Sequence, residues 1–203
     1  MARPSSNIDQ KLIKTGLKLL SQKGVRGVCV RTVCERANVN LGMFSYLFKN
    51  KDNFLKILFE TVQQNLLDFL SLDCVSHLNA FDKMRYGYQK MVDFAFENTP
   101  LMRAIIVEAA MDKELYDSYL KKGVIKPLEL PFDLIEEAQR AGFVKSDISK
   151  YKIHHGIVFT VIVPILLSDC QIFMKNMTGM DVLINKEEYL IWLDKILNDI
   201  RVS

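Results

Sequence analysis

The chain has 203 residues, 49% of them hydrophobic and 25% charged, the make-up of an ordinary globular protein with room for a small domain beside a larger one. With only 9 Gly and 5 Pro, and few alternating apolar–polar stretches, it is expected to be mostly helix. The net charge of +3 says little until it is divided: residues 1–51 carry ten Lys/Arg against Asp9 and Glu35, a net +8, and the remainder carries 17 basic and 22 acidic residues, a net −5. A basic end on an acidic body is the footprint expected of a segment that meets phosphate, although a solvated basic face gives the same count.

Ser6 and Asp9 resemble a capping pair, and Ile8, Leu12, Gly16, Leu19 and Leu20 mark one face of a first helix that Gly24 closes. Gly27 allows the bend into a second, Val30 to Ala37, with Val30, Val33, Cys34 and Ala37 on its apolar face. Asn38-Val39-Asn40 breaks that helix. Asn38 tolerates the left-handed backbone a sharp helix end needs, and Asn40 can cap the next helix by accepting a backbone N–H. Leu41 to Phe48 is the third helix, with Phe44, Leu47 and Phe48 for packing and Gly42, Met43, Ser45 and Tyr46 facing outward. Two short helices joined by a three-residue turn form the helix-turn-helix plan, in which the second helix enters the major groove. Asn50 caps a fourth helix from Lys51 to near Leu72, which links the two domains.

Residues 73–79 form the next break. Helical spacing resumes from Ala80 to Asn98, and Thr99-Pro100 signals a helix over Leu101 to Met111 that is apolar on most sides. Asp112 recaps a short helix to Lys122-Gly123. Pro127 and Pro131 confine a turn, and Phe132 to Arg140 is the next helix, closed by Gly142. Asp147 or Ser149 opens a long apolar stretch, Tyr151 to Met174, expected to be a buried helix kinked at Pro164. Its uninterrupted apolar run, Ile157 to Leu167, is shorter than the roughly 20 residues a bilayer core requires, so no membrane partner is expected. Asn185 and Glu188 open the last helix, Lys186 to Val202, whose apolar residues cover more than its own body needs and suggest a subunit interface.

The opening MARPSSNIDQ lacks the apolar core of a secretory leader, and Cys29, Cys34, Cys74 and Cys170 are too widely spaced for a Cys-x-x-Cys pair. Both fit free thiols in a reducing cytoplasm, with Cys29 and Cys34 close enough to the helix-turn-helix for a redox role to be weighed against plain burial. His77, His154 and His155 make a poor metal set, because adjacent helical residues point about 100° apart. No metal or cofactor is expected. There is no Gly-rich phosphate loop, no Gly-x-Ser-x-Gly and no His-Glu-x-x-His, and Glu136-Glu137 and Asp112-Glu114 read as solvated helix surface. An enzyme with a helical cavity is therefore the weaker reading.

The stretch from Val28 to Leu55, VCVRTVCERANVNLGMFSYLFKNKDNFL, resembles the DNA-binding domain of TetR-family transcriptional regulators. The resemblance runs through Gly24, Val30-Arg31, Asn38-Val39-Asn40, Gly42 to Phe48 and Lys49 to Leu55, and is dense over roughly residues 8–58. Cys29 stands where the family usually has a capping Thr, Asn38 where it has Gly, and Ser45 where it has a phosphate-contacting Tyr that Tyr46 would replace. The resemblance implies an all-α fold of about nine helices: a three-helix DNA-binding domain over residues 1–50 and a larger helical domain over 51–203 for effector binding and dimerisation. It implies a homodimeric regulator, most simply a repressor, on a palindromic operator of double-stranded DNA, released by a small apolar or amphipathic effector. A DNA-bound adaptor that recruits a protein partner, with no effector, is the alternative within the fold. Arg31 can read guanine or clamp a phosphate; Thr32, Leu41, Gly42, Met43, Ser45, Tyr46, Lys49 and Lys51 complete the DNA-facing set. Effector candidates are Tyr88, Met91, Met102, Ile106, Phe132, Ile135, His155 and Phe159, any of which can equally be core. In this family the last two long helices of each subunit form a four-helix dimer bundle, which points to Phe159, Ile162, Leu166, Leu190, Leu193, Leu197 and Ile200.

Overall fold

A computed structural model describes residues 6–111, 113, 117, 130–168, 175–177, 179 and 185–202. The short helix expected from Asp112 to Lys122-Gly123, the last six residues of the Tyr151–Met174 stretch, Cys170 among them, and the Ser6 side chain lie outside the described residues. The fold is all-α. Its helices are α1 (Ser6–Lys23), α2 (Val30–Ala37), α3 (Leu41–Phe48), α4 (Lys51–Phe69), α5 (Ala80–Glu97), α6 (Thr99–Met111), α7 (Leu130–Arg140), α8 (Lys150–Ile157), α9 (Val163–Leu166) and α10 (Lys186–Asp199). A 3-10 turn, Asp73–Val75, lies in the break after α4. The chain divides into two compact units: Met1–Asn65 with Pro100–Ile125, and Leu66–Thr99 with Lys126–Ser203.

The first unit is built on an aromatic knot. Phe44 and Phe48 of α3 and Phe54 of α4 stack tilted or edge-on, with ring centroids 4.8–5.2 Å apart, the offset geometries that ring quadrupoles favour. Leu12, Leu19 and Leu20 of α1, Val33 and Ala37 of α2, and Leu58 of α4 close around it, all essentially without solvent contact. Gly16 lets α1 approach the knot, because a Cβ there would lie 2.7 Å from Phe54 Cζ. Ile105 of α6 is buried in the same core, with Leu101 packed against it. The spacing of α6 does not show that it would complete this core, nor that Ile106 would stand exposed at 42% of its surface.

The second unit packs α5 against α7 and α10. Arg85 of α5 clamps Asp194 of α10 with two hydrogen bonds, 2.7 and 2.5 Å long, the bidentate geometry that suits guanidinium and carboxylate. Asn185 and Glu188 form the expected reciprocal capping box. Three expectations shift. Thr99 does not cap α6: its hydroxyl donates back to the carbonyl of Ala95, closing the helix before it. Helix α7 starts at Leu130, ahead of Pro131, since a first-turn N–H has no intrahelical partner to lose. The long apolar helix passes Pro164 through a π-helical turn, Val158–Ile162, with the Val163 N–H bonded to the carbonyl of Val158. A proline deprives the carbonyl four residues back of its donor, and the bonding shifts to five-residue spacing just ahead of it. Beyond α10 the chain does not stay helical. Arg201 bridges Val144 in antiparallel fashion, and Val202 N–H bonds to the carbonyl of Phe143 at 2.9 Å.

Candidate nucleic-acid interface

The turn between α2 and α3 is set by local chemistry. Asn38 takes the left-handed conformation, φ 50° and ψ 51°, and its N–H reaches the carbonyls of Cys34 and Glu35. Asn40 caps α3 by accepting from Met43 N–H at 2.7 Å. Lys49 ends α3 with φ at +66°, a left-handed residue the sequence did not announce. Asn50 then accepts from Asn53 N–H at 2.8 Å, and the Asn53 side chain donates to the carbonyl of Phe48 at 3.1 Å. These local bonds cap the end of α2, both ends of α3 and the start of α4, which stiffens the turns between them.

With Phe44 and Phe48 held in the knot, the opposite face of α3 is forced outward. Tyr46 is 77% exposed and Leu41 57%, and Gly42, Ser45 and Lys49 are exposed beside them. Met43, Thr32 and Lys51 are half-buried. Arg31 extends from α2 with 87% of its side chain in solvent and donates from Nε to Glu35 Oε1 at 3.1 Å. Arg31, Glu35, Asn38, Val39, Asn40 and Leu41 line one open groove between α2 and the start of α3. Of the DNA-facing residues read from the sequence, Arg31 and Leu41 line this groove. Cys29 stands at the N-cap of α2 without a side-chain cap bond, and the backbone N–H groups of Thr32 and then Arg31 hold its thiol below the usual range. Cys34 is buried, which pushes its thiol up.

Residues 12–57 match the family of bacterial regulatory proteins of the TetR type. That match places the helix-turn-helix segment within the TetR family. A curated relative, "Probable HTH-type transcriptional regulator YttP" of Bacillus subtilis (strain 168), is 25% identical over 125 residues, 55% of this chain. The match spans 57% of that relative's length. A crystal structure assigned to the TetR family of transcriptional regulators, from Rhodococcus sp., superposes with a TM-score of 0.74 at 18% identity, covering 96% of this chain and 99% of the other. The ketosteroid transcriptional regulator KstR2 of Mycobacterium tuberculosis gives 0.70 at 14% identity, with 100% and 99% covered. At such identities the likeness is one of fold, and it runs through both units of the chain.

In the second unit the effector candidates separate. Tyr88 and Ile135 are fully buried and Met91 nearly so. Phe132 is half-buried, and its ring lies 4.5 Å from that of His154. Tyr88 hydroxyl and His154 Nδ1 are 2.9 Å apart. Burial, and next the neighbouring His155, drive the His154 imidazole down to about 4, and burial raises the Tyr88 phenol. His155 and Phe159 instead face outward, Phe159 at 66%, while Met102 and Ile106 fall in the first unit. The buried polar residue is thus His154 rather than His155, which a tight apolar spacing of α8 through Ile153 and Ile157 could have indicated.

The residues read for a dimer surface divide the same way. Ile162, Leu166, Leu193 and Leu197 are buried in the chain's own core, and Leu190 and Ile200 are half-buried. A helix with apolar groups on most sides gives no sign of which side its own body takes. The structure turns Ile191 outward at 71% and Trp192 at 37%, together with Phe159. Among the described residues no helix is long and apolar enough to cross a membrane.

Proposed function

We propose that this chain is a TetR-type regulator that binds a palindromic operator as a cytoplasmic homodimer and represses transcription until a small apolar or amphipathic effector releases it. One observation carries the reading: α3 offers Leu41, Gly42, Ser45 and Tyr46 to solvent from a rigid turn, inside a segment of net charge +8. Arg31 and Tyr46 reach bases or phosphates, Thr32, Ser45, Lys49 and Lys51 serve the backbone, and Leu41 and Met43 offer apolar contact to thymine methyls. Residues 1–50 are the DNA-reading domain. Residues 51–203 hold effector and partner, joined to it by the helix that begins at Lys51.

Two copies meet through the outward groups of α8 to α10, namely Phe159, Ile191 and Trp192, with Leu190 and Ile200 at the edge. Half-sites of a two-fold protein lie about 34–36 Å apart, so an effector that changes the separation of the two recognition helices lowers DNA affinity. Tyr88, Met91, Phe132 and Ile135 are the candidates to meet that effector. The work is binding, not catalysis.

A mobility-shift assay on the DNA upstream of the protein's own gene tests this directly. A retarded species that weakens steeply with salt, and whose size corresponds to two chains, supports the reading; absent or salt-independent binding refutes it.

A further inference from the structure

We infer that Glu35 is a positioning residue for base readout, holding the Arg31 guanidinium by its Nε so that the two Nη groups are left as a fork for guanine. The inference rests on the DNA-reading function proposed above and assigns a second residue to it.

Three observations carry it. The pair is made: Arg31 Nε donates to Glu35 Oε1 at 3.1 Å, and only Nε is taken. Guanine is read end-on through O6 and N7, which needs the two Nη groups that this contact leaves open. The pair is also set against the polarity of its helix. Arg31 lies in the first turn of α2, which holds no acidic residue, and Glu35 one turn later. The helix dipole favours the reverse order, and acid-before-base is the better arrangement of such pairs. With side chains 87% and 63% exposed, the contact adds little to stability. Its arrangement is suited to orienting Arg31.

The third observation is place. Glu35 and Asp9 are the only carboxylates of residues 1–51, against ten basic side chains. Glu35 stands in the groove that also holds Arg31, Asn38, Asn40 and Leu41. A carboxylate there repels phosphate and every acceptor on a base edge, so it penalises unspecific contact while it aims the guanidinium. Discrimination by an unfavourable group at the wrong site is a general route to specificity.

The test is selection from a randomised duplex pool by full-length protein, R31A and E35Q, followed by titration against random-sequence duplex and a thermal melt. Wild type should enrich a two-fold sequence with a guanine in each half that R31A no longer requires. E35Q should keep the melting midpoint and bind random duplex more tightly, while its preference for that guanine falls about tenfold, the size expected when one bidentate contact is misaligned. An E35Q preference equal to that of wild type, or an equal loss on all sequences, overturns the inference, as does an R31A variant that selects the wild-type sequence. If wild type enriches nothing, the DNA-reading function itself fails, a result distinct from all of these.

Discussion

The buried imidazole of His154 makes the second unit sensitive to acid, and the size of the effect follows from its surroundings. His154 is 7% exposed, faces the Tyr88 hydroxyl at 2.9 Å and packs on Phe132. Its pKa is lowered from 6.5 to about 4, first by burial and then by His155. The folded protein therefore keeps this ring neutral where the unfolded chain already protonates it. Stability from this group is fully present above pH 6.5 and is lost as pH falls toward 4, where the folded form also takes the proton. At about 1.4 kcal/mol for each pH unit of separation, the total loss is roughly 3 kcal/mol. Urea unfolding of wild type and H154Q between pH 7.5 and 4 isolates it, because Gln can bond to the Tyr88 hydroxyl but does not titrate. The stability difference between the two should shrink by about 3 kcal/mol across that range, mostly between pH 6.5 and 4. A difference that stays flat would mean that the ring is protonated or solvated in the folded state, and the reasoning fails.

Further outcomes follow from backbone conformation, close packing and surface charge at single positions. Asn38 holds φ at +50° with no β-branch to oppose it; N38G should leave the melting midpoint unchanged or raised, and N38A should cost about 1 kcal/mol and weaken operator binding with it, as read by thermal melts and gel shifts. G16A should be destabilising by about 1–2 kcal/mol in urea unfolding despite the helix propensity of Ala, because its methyl would press on a ring locked between Phe44 and Phe48. The matched change at Gly156, where an added Cβ meets nothing within 4 Å, should instead gain roughly 0.5–1 kcal/mol. K49A should weaken binding by a similar factor on all sequences and reduce the slope of log affinity against log salt by about one, measured by fluorescence anisotropy.

What could be read from the chain beforehand was whatever depends on neighbours in sequence. Asn38, Asn40, Asn50 and the Asn185–Glu188 pair act within a turn of themselves, and each does in the fold what its chemistry announces. The outward set on α3 was legible because two phenylalanines at helical spacing leave only one face for Tyr46 and Ser45. What depends on distant contacts was not legible. Nothing in the spacing of α6 says that Leu101 and Ile105 complete the core around the aromatic knot. In α10 nearly every turn is apolar, so the choice of Leu193 and Leu197 for the core and Ile191 for solvent is made by α5, through the Arg85–Asp194 clamp that fixes the helix's rotation. The same holds at His154-His155, where two identical side chains receive opposite environments because α8 turns one toward Tyr88 and Phe132. A periodic pattern supplies the existence of a buried face; only the partner that covers it decides which residues that face contains. That is why the outward side of α3, bounded by its own motif, could be read residue by residue, while the burial of the residues named for effector and dimer contacts had to wait for the packing.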